Sequence, residues 1–455
     1  MKNWIAALFL IACSPDKPDA DETGIDDVEA DTDTDSDTDT DTDTDSDTDT
    51  DTDTDSDTDT VVGGDSCDPL PAPSGETLTV SPGEVLRSLE LTEGLTVLLE
   101  DGTYDLDGDY FWIDVPGVTI RAASGDASAV VLDGGYATTS IVNVSASDVT
   151  ITDLTIQRAY NHPIHVTGGS GGHADRVRIH RVTIVDPAEQ AIKINGSGAG
   201  WYTNDGEISC STITLTDAGR SEVRNNCYTG GIDAHGSRNL HIRDNTISGF
   251  WCDSGLSEHG IHLWRGCRDP LIERNVVLNS ARGIGLGLSD SGASGERSYE
   301  DDPCPSDGYV GHFGGIVRNN VVFVDDARIY ETGSGFDGGI ALAAACGVSV
   351  VHNTVYSTKE PFASIEWRFD STTALVANNL VSHNLRDRGG EARLVTNLDG
   401  ATADWFVDVA GQDVRLAVGS AARGAGTDLD AGLCAHDLDG DTRGSPPDVG
   451  ADEAE

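Results

Sequence analysis

His235 and His262 occupy short four-residue phrases that recur along this chain, and equivalent positions in other phrases hold Lys193, Asp233, Glu366 and Arg368. Imidazoles move protons near neutral pH, carboxylates hold cations or steer a base, and lysine or arginine neutralises an anion. Together they supply what removal of a proton beside a carboxylate requires: a neutralising cation or metal, a base, and an acid for the leaving oxygen. They act together only if regular elements bring the phrases side by side.

The phrases begin at Ile164, Ile192, Ile232, Ile261, Ile284, Ile340 and Ile365. In each, the first and third residues are apolar and the second and fourth vary, the alternation of a strand with one buried face. Stacked in parallel, the second positions form a column reading His165, Lys193, Asp233, His262, Gly285, Ala341, Glu366. The fourth positions read Thr167, Asn195, His235, Trp264, Gly287, Ala343, Arg368. Ionisable groups crowd one end, Gly and Ala strip the middle, and an acid and a base follow.

A second phrase follows most of the first: Asp244-Asn245, Arg274-Asn275, Asn319-Asn320, His352-Asn353 and Asn378-Asn379, each leading into apolar residues. Two strand types alternating at roughly twenty-odd residues, lengthened by insertions, predict a solenoid whose asparagines stack as an amide ladder. Over 95–416 the chain resembles the right-handed parallel β-helix of pectate-lyase-type and alginate or chondroitin lyase-type proteins. The resemblance implies an all-β fold. It leaves activity open, because the same scaffold carries hydrolases, tailspikes and adhesins.

On that scaffold the Gly and Ala floor makes a trough ~10 to 15 Å wide, sized for a few sugar units. Trp264 is expected to stand beside it as a stacking platform. Asp233, Glu366, Arg265 and His165 line it as substrate-binding groups, and Arg282, Arg368 and Lys193 place positive charge in an otherwise acidic protein, pointing to an anionic sugar such as a uronate. His235 and His262 are the proton carriers, with Arg265, Arg282, Arg368 or a calcium ion on Asp233 neutralising the carboxylate. Lys193 resembles the lysine base of some β-helix lyases; Asp233 beside it favours the charged form and an electrostatic role. Asp233 and Glu366, four coils or ~19 Å apart, do not meet the ~5 to 9.5 Å of acid–base glycosidases, so hydrolysis needs Glu258 or another loop acid. The expected activity is therefore β-elimination on an acidic polysaccharide. The competing readings are a non-catalytic glycan-binding or adhesive protein, a glycoside hydrolase, and a charge-alternating ladder that only stabilises the sheet. Asp233, His235, His259 and His262 also offer donors to a transition ion, without the spacing of a recognised motif.

The chain of 455 residues carries a formal charge of −51, which excludes nucleic acid as a partner. Residues 1–12, with Lys2 and a short apolar run, read as a leader ending in Leu10-Ile11-Ala12-Cys13, which resembles the lipobox of bacterial lipoproteins. That implies lipidation of Cys13 and a monomer held at the bacterial cell envelope, touching membrane only through its lipid; an ordinary secretory leader is the alternative. Residues 13–60 hold 22 acidic residues against the single base Lys17, a disordered spacer reaching up to ~160 Å. The β-helix is assigned to 61–420 and an end cap to 421–455.

Ser81 and Pro82 read as the start of a short capping helix running through Leu89. Insertions at 196–230, 248–260 and 289–315 are expected to be long loops. Eight cysteines remain after Cys13, and Cys210 with Cys227 and Cys252 with Cys304 are the expected disulfides. Asp437, Asp439 and Asp441 read as a calcium loop or an end-cap turn.

Overall fold

The computed structural model describes residues 67–454 apart from 170, 198–199, 225, 293–295, 303 and 305–307. The leader, Cys13 and the acidic spacer lie outside the described residues.

The chain forms a right-handed parallel β-helix with three parallel sheets, of 14, 10 and 10 strands. One coil contributes Arg178–His180 to the first sheet, Thr183–Val185 to the second and Gln190–Asn195 to the third. The isoleucines of the seven phrases are all fully buried and stack on one another through the third sheet. Each coil thus buries its apolar face against the next, which no coil could do alone.

The turn from first to second sheet explains the second phrase. Asp244, Arg274, Asn319, His352 and Asn378 all adopt left-handed φ between 52° and 56°, a conformation Asn and Asp tolerate better than most residues. The following asparagine then points inward, and the ladder runs unbroken: Asn245 donates to Asn275 at 2.9 Å, Asn275 to Asn320 at 2.9 Å, Asn320 to Asn353 at 3.0 Å and Asn353 to Asn379 at 3.0 Å. These amides satisfy buried backbone groups that no strand reaches.

Several expectations are corrected. The stretch 196–230 is not one loop: it contains strands Glu207–Ser209 and Thr212–Thr214 and helix Asp217–Arg220, so a coil hides there. The helical cap is a single 3-10 turn, Leu86–Ser88, because Gly83, directly after Pro82, takes a left-handed φ of 95° that ends any helix begun at Ser81. Leu86 does plug the core. The last parallel strand is Glu391–Val395, followed by a single parallel bridge from Leu380 to Leu398, and Phe406–Asp408 with Asp413–Leu416 form an antiparallel hairpin. This hairpin and Ala422, Val449 and Ala451 cover the outward-facing Val321, Phe323 and Tyr356.

The disulfides are Cys67–Cys210, Cys227–Cys252 and Cys304–Cys346, with Cys267 and Cys434 free and buried. The expected pairs overlooked the N-terminal strap. That strap crosses the first sheet, held by Arg181 donating to the Cys67 carbonyl at 2.8 Å and Arg121 to that of Pro71 at 2.8 Å, and so presents Cys67 to Cys210.

Candidate functional site

The third sheet aligns the second-position column as its spacing predicts: His165 on Lys193, Lys193 on Asp233, Asp233 on His262, His262 on Gly285, Gly285 on Ala341 and Ala341 on Glu366. At its centre the Lys193 Nζ donates to Asp233 Oδ2 at 2.5 Å and lies 3.0 Å from His235 Nε2. Asp233 Oδ1 accepts from the Trp264 indole at 2.9 Å and stands 3.5 Å from His235. Burial alone would raise the Asp233 carboxyl, yet Lys193 and His235 hold it well below the usual range. Burial outweighs Asp233 for His235 and pushes its imidazole down to about 4. The cluster is therefore an ionised carboxylate, an ammonium and a neutral imidazole in mutual contact.

The open trough is the main correction. Lys193, Asp233, His262 and Glu366 are 5, 2, 1 and 6% exposed. A Cβ on Gly285 would fall 2.6 Å from the His259 ring, so the missing side chain is the berth of that imidazole rather than a bare floor. Gly287 is required by backbone: a Cβ there would collide with the Ala343 carbonyl. Nor is Trp264 a vacant platform. His262 stacks on it at 5.4 Å with planes 6° apart, His235 meets it edge-on at 4.7 Å, and the Arg265 guanidinium lies 4.6 Å from its centroid.

The remaining candidates divide. Arg282 pairs with Asp337 at 2.8 Å, Glu366 with Arg388 at 3.1 Å, and Arg368 donates to the Leu288 carbonyl. These sit further along the same sheet, apart from the Lys193 cluster. His165 lies at its other end, where burial and Lys193 lower its imidazole to about 4. Both oxygens of Asp233 are engaged, so calcium would have to displace Lys193 or Trp264. Asp437 spends Oδ1 on the backbone N–H groups of Asp439 and Asp441, at 3.0 and 2.8 Å, and Oδ2 on that of Glu453 at 2.9 Å. This is a turn clamp, and Asp452 rather than Asp441 completes the acidic group.

Three neighbours escape the phrase pattern. Tyr228 stands near enough that burial, then Asp233 and Glu258, keep its phenol protonated beyond the usual range. Glu258 approaches His262 Nδ1 at 3.3 Å. His259 stands two residues before its isoleucine, in step with His162, Gln190 and Arg282, and this column would have revealed it. A cavity of about 490 Å³ lies elsewhere, between helix Asp217–Arg220 and Trp251, Cys252 and Arg328. Its Arg220 and Arg328 are already bound by Asp217, Asp326 and backbone carbonyls.

No protein-family model matches the chain, and no curated protein matches its sequence. Among solved structures it is similar in fold to pectate lyase Pel9A, at 16% identity and a TM-score of 0.47 over 84% of this chain and 97% of that one. The alginate lyase from Paenibacillus sp. str. FPU-7 gives 15% identity and 0.46 over 70% and 98%. The tailspike protein of E. coli bacteriophage HK620, in complex with pentasaccharide, gives 14% identity and 0.48 over 73% of this chain and 60% of the tailspike. At these identities no residue role is carried across.

Proposed function

We propose that this chain is a carbohydrate-active β-helix that cleaves an acidic, uronate-containing polysaccharide by β-elimination. The observation that supports it is the contact of Lys193, Asp233 and His235: a cation, its fixed counter-ion and a neutral imidazole on one strip of sheet. In this reading Lys193 turns to the uronate carboxylate and stabilises the charge that develops when the adjacent proton leaves. That movement frees His235 Nε2 to take the proton, and Asp233 then holds the imidazolium. Tyr228, kept protonated, delivers a proton to the leaving oxygen. Arg282, Arg368 and Arg265 bind carboxylates of neighbouring sugars, and Cys13 anchors the protein at the envelope.

A panel of uronate polymers tests this by the ultraviolet absorbance of the unsaturated product. His235→Ala and Lys193→Ala should abolish product formation, with circular dichroism checking that each variant is folded. The saturation of Trp264 and Lys193 by their own neighbours favours a second reading, a non-catalytic glycan-binding protein. Binding without product on every polymer would establish that reading, and a chelator that removes the binding would bring calcium back to Asp233. Release of the protein from envelope fractions by Cys13→Ala tests the anchor.

A further inference from the structure

We infer that Glu258, His259 and His262 form a binding site for a divalent transition ion of the zinc class. One donor atom from each lies within 4.8 Å of the other two. Glu258 Oε2, His259 Nδ1 and His262 Nδ1 are all buried and make no hydrogen bond. Native proteins seldom leave even one buried polar atom without a partner, so three on one cluster of residues mark a missing ligand. Glu258 and His262 approach to 3.3 Å but without the geometry of a hydrogen bond.

The surroundings orient these donors as metal sites do. The second nitrogen of His262, Nε2, faces the Gly287 carbonyl at 3.0 Å, which places the proton there and leaves the Nδ1 lone pair bare. His259 is held by its berth on Gly285, which no side chain larger than hydrogen would allow. The two rings sit 4.6 Å apart and tilted by 41°. His259 and His262 are 6 and 1% exposed, whereas the Glu258 side chain is 21% exposed, giving an ion an entrance from solvent. Two imidazoles and one carboxylate select zinc, cobalt or nickel over calcium, which takes oxygen donors. The set differs from the sequence-based grouping: His235 is turned to Lys193, and Asp233 Oδ1 is 3.9 Å from His262 Nδ1 but occupied by Trp264.

This site does not depend on the polysaccharide reading, and its test needs no substrate. The full chain, stripped by a chelator, is titrated with Zn2+ by calorimetry, with elemental analysis for stoichiometry and Co2+ absorption for ligand geometry. The expected result is a single saturable ion that excess Ca2+ does not displace. Glu258→Gln, which keeps the shape of the side chain, and His259→Ala should each weaken it at least ~10-fold. If His259→Ala does not fold, Glu258→Gln decides alone. No saturable binding in the unaltered chain, displacement by Ca2+, or binding untouched by both substitutions would overturn the proposal. The last outcome would place the ion on the acidic spacer or the Asp437 group.

Discussion

Two outward faces of this β-helix carry charged ladders, and only one has the features of a site. On the first sheet, Arg178 stacks on Glu207 in one column, Arg243, Glu273 and Arg318 stack with alternating sign in the next, and a diagonal Arg243–Glu207 pair joins the two. Arg243 reaches Glu207 at 2.8 Å, while Glu273 accepts from His241 at 2.9 Å and from Arg318 at 2.8 Å. Among the described residues, no carboxylate oxygen of that ladder is a buried orphan. The third sheet runs a similar series through Lys193, Asp233 and His262, yet leaves Glu258 Oε2, His259 Nδ1, His262 Nδ1 and His165 Nε2 buried and unpaired. Alternation of charge is therefore what stacked strands use for stability. What distinguishes the third sheet is that its buried unpaired atoms gather around one cluster, whereas on the first-sheet ladder, among the described residues, Arg178 Nε is the one such atom.

The strongest test of this contrast removes one acid from each ladder. Asp233→Ala strands Lys193, which is only 6% exposed at its side chain, so a loss of ~3–5 kcal/mol is expected. Glu273→Ala strands Arg318, Arg274 and His241, whose side chains are 20, 21 and 34% exposed and can turn outward; its cost should be ~1–3 kcal/mol. Urea denaturation of the two variants measures both. Equal losses would mean that the two faces do not differ.

The fold was legible because its signals are local and repeated: isoleucine at the inward step of each third-sheet phrase from Ile164 on, and asparagine after the left-handed turns from Asp244 on. The register of the third sheet followed directly, so the columns from His165 to Glu366 were readable before any coordinates. What lay on those columns was not, since it depends on loops. His259 stands on a column of its own two residues before the isoleucines, but a strand pattern does not say that its ring turns onto Gly285. The coil at Glu207–Thr214 was missed because its phrases use Ile208 and Ile213 flanked by Ser and Thr, without the asparagine that marks later coils. The disulfides failed for a similar reason: Cys67 sits on a strap whose path is set by Arg121, His180 and Arg181 rather than by any repeat.

Acid should separate the faces in two stages. On the third sheet, burial and neighbouring positive charge depress His162 to about 3 and His165 to about 4 from an ordinary 6.5. The unfolded chain then takes up protons that the folded one refuses, so stability present above pH 6.5 falls as pH drops toward 4. On the first sheet, burial would raise Glu273, but His241, Arg318 and Arg274 together hold it at about 2, below its ordinary 4.5. Its contribution is complete above pH 4.5 and is lost as pH falls through 2. His165→Asn should flatten the upper part of the stability profile and Glu273→Gln the lower part. A profile changed in the same range by both would refute the assignment.

The smallest effect belongs to the end of the paired ladder. Arg178 approaches Glu207 at only 3.7 Å, and Glu207 is already held by Arg243 at 2.8 Å and by the Ser209 hydroxyl at 2.6 Å. Arg178 is also 34% exposed at its side chain, so its charge is shared with water and screened by salt. Arg178→Ala should therefore cost no more than ~1 kcal/mol, and high salt should erase most of that difference in parallel denaturation curves. A larger, salt-resistant loss would mean that the alternating charges act as one cooperative unit rather than as separate pairs. The first sheet would then owe its stability to the ladder as a whole, and local pairing would no longer be a sufficient account of why it is inert.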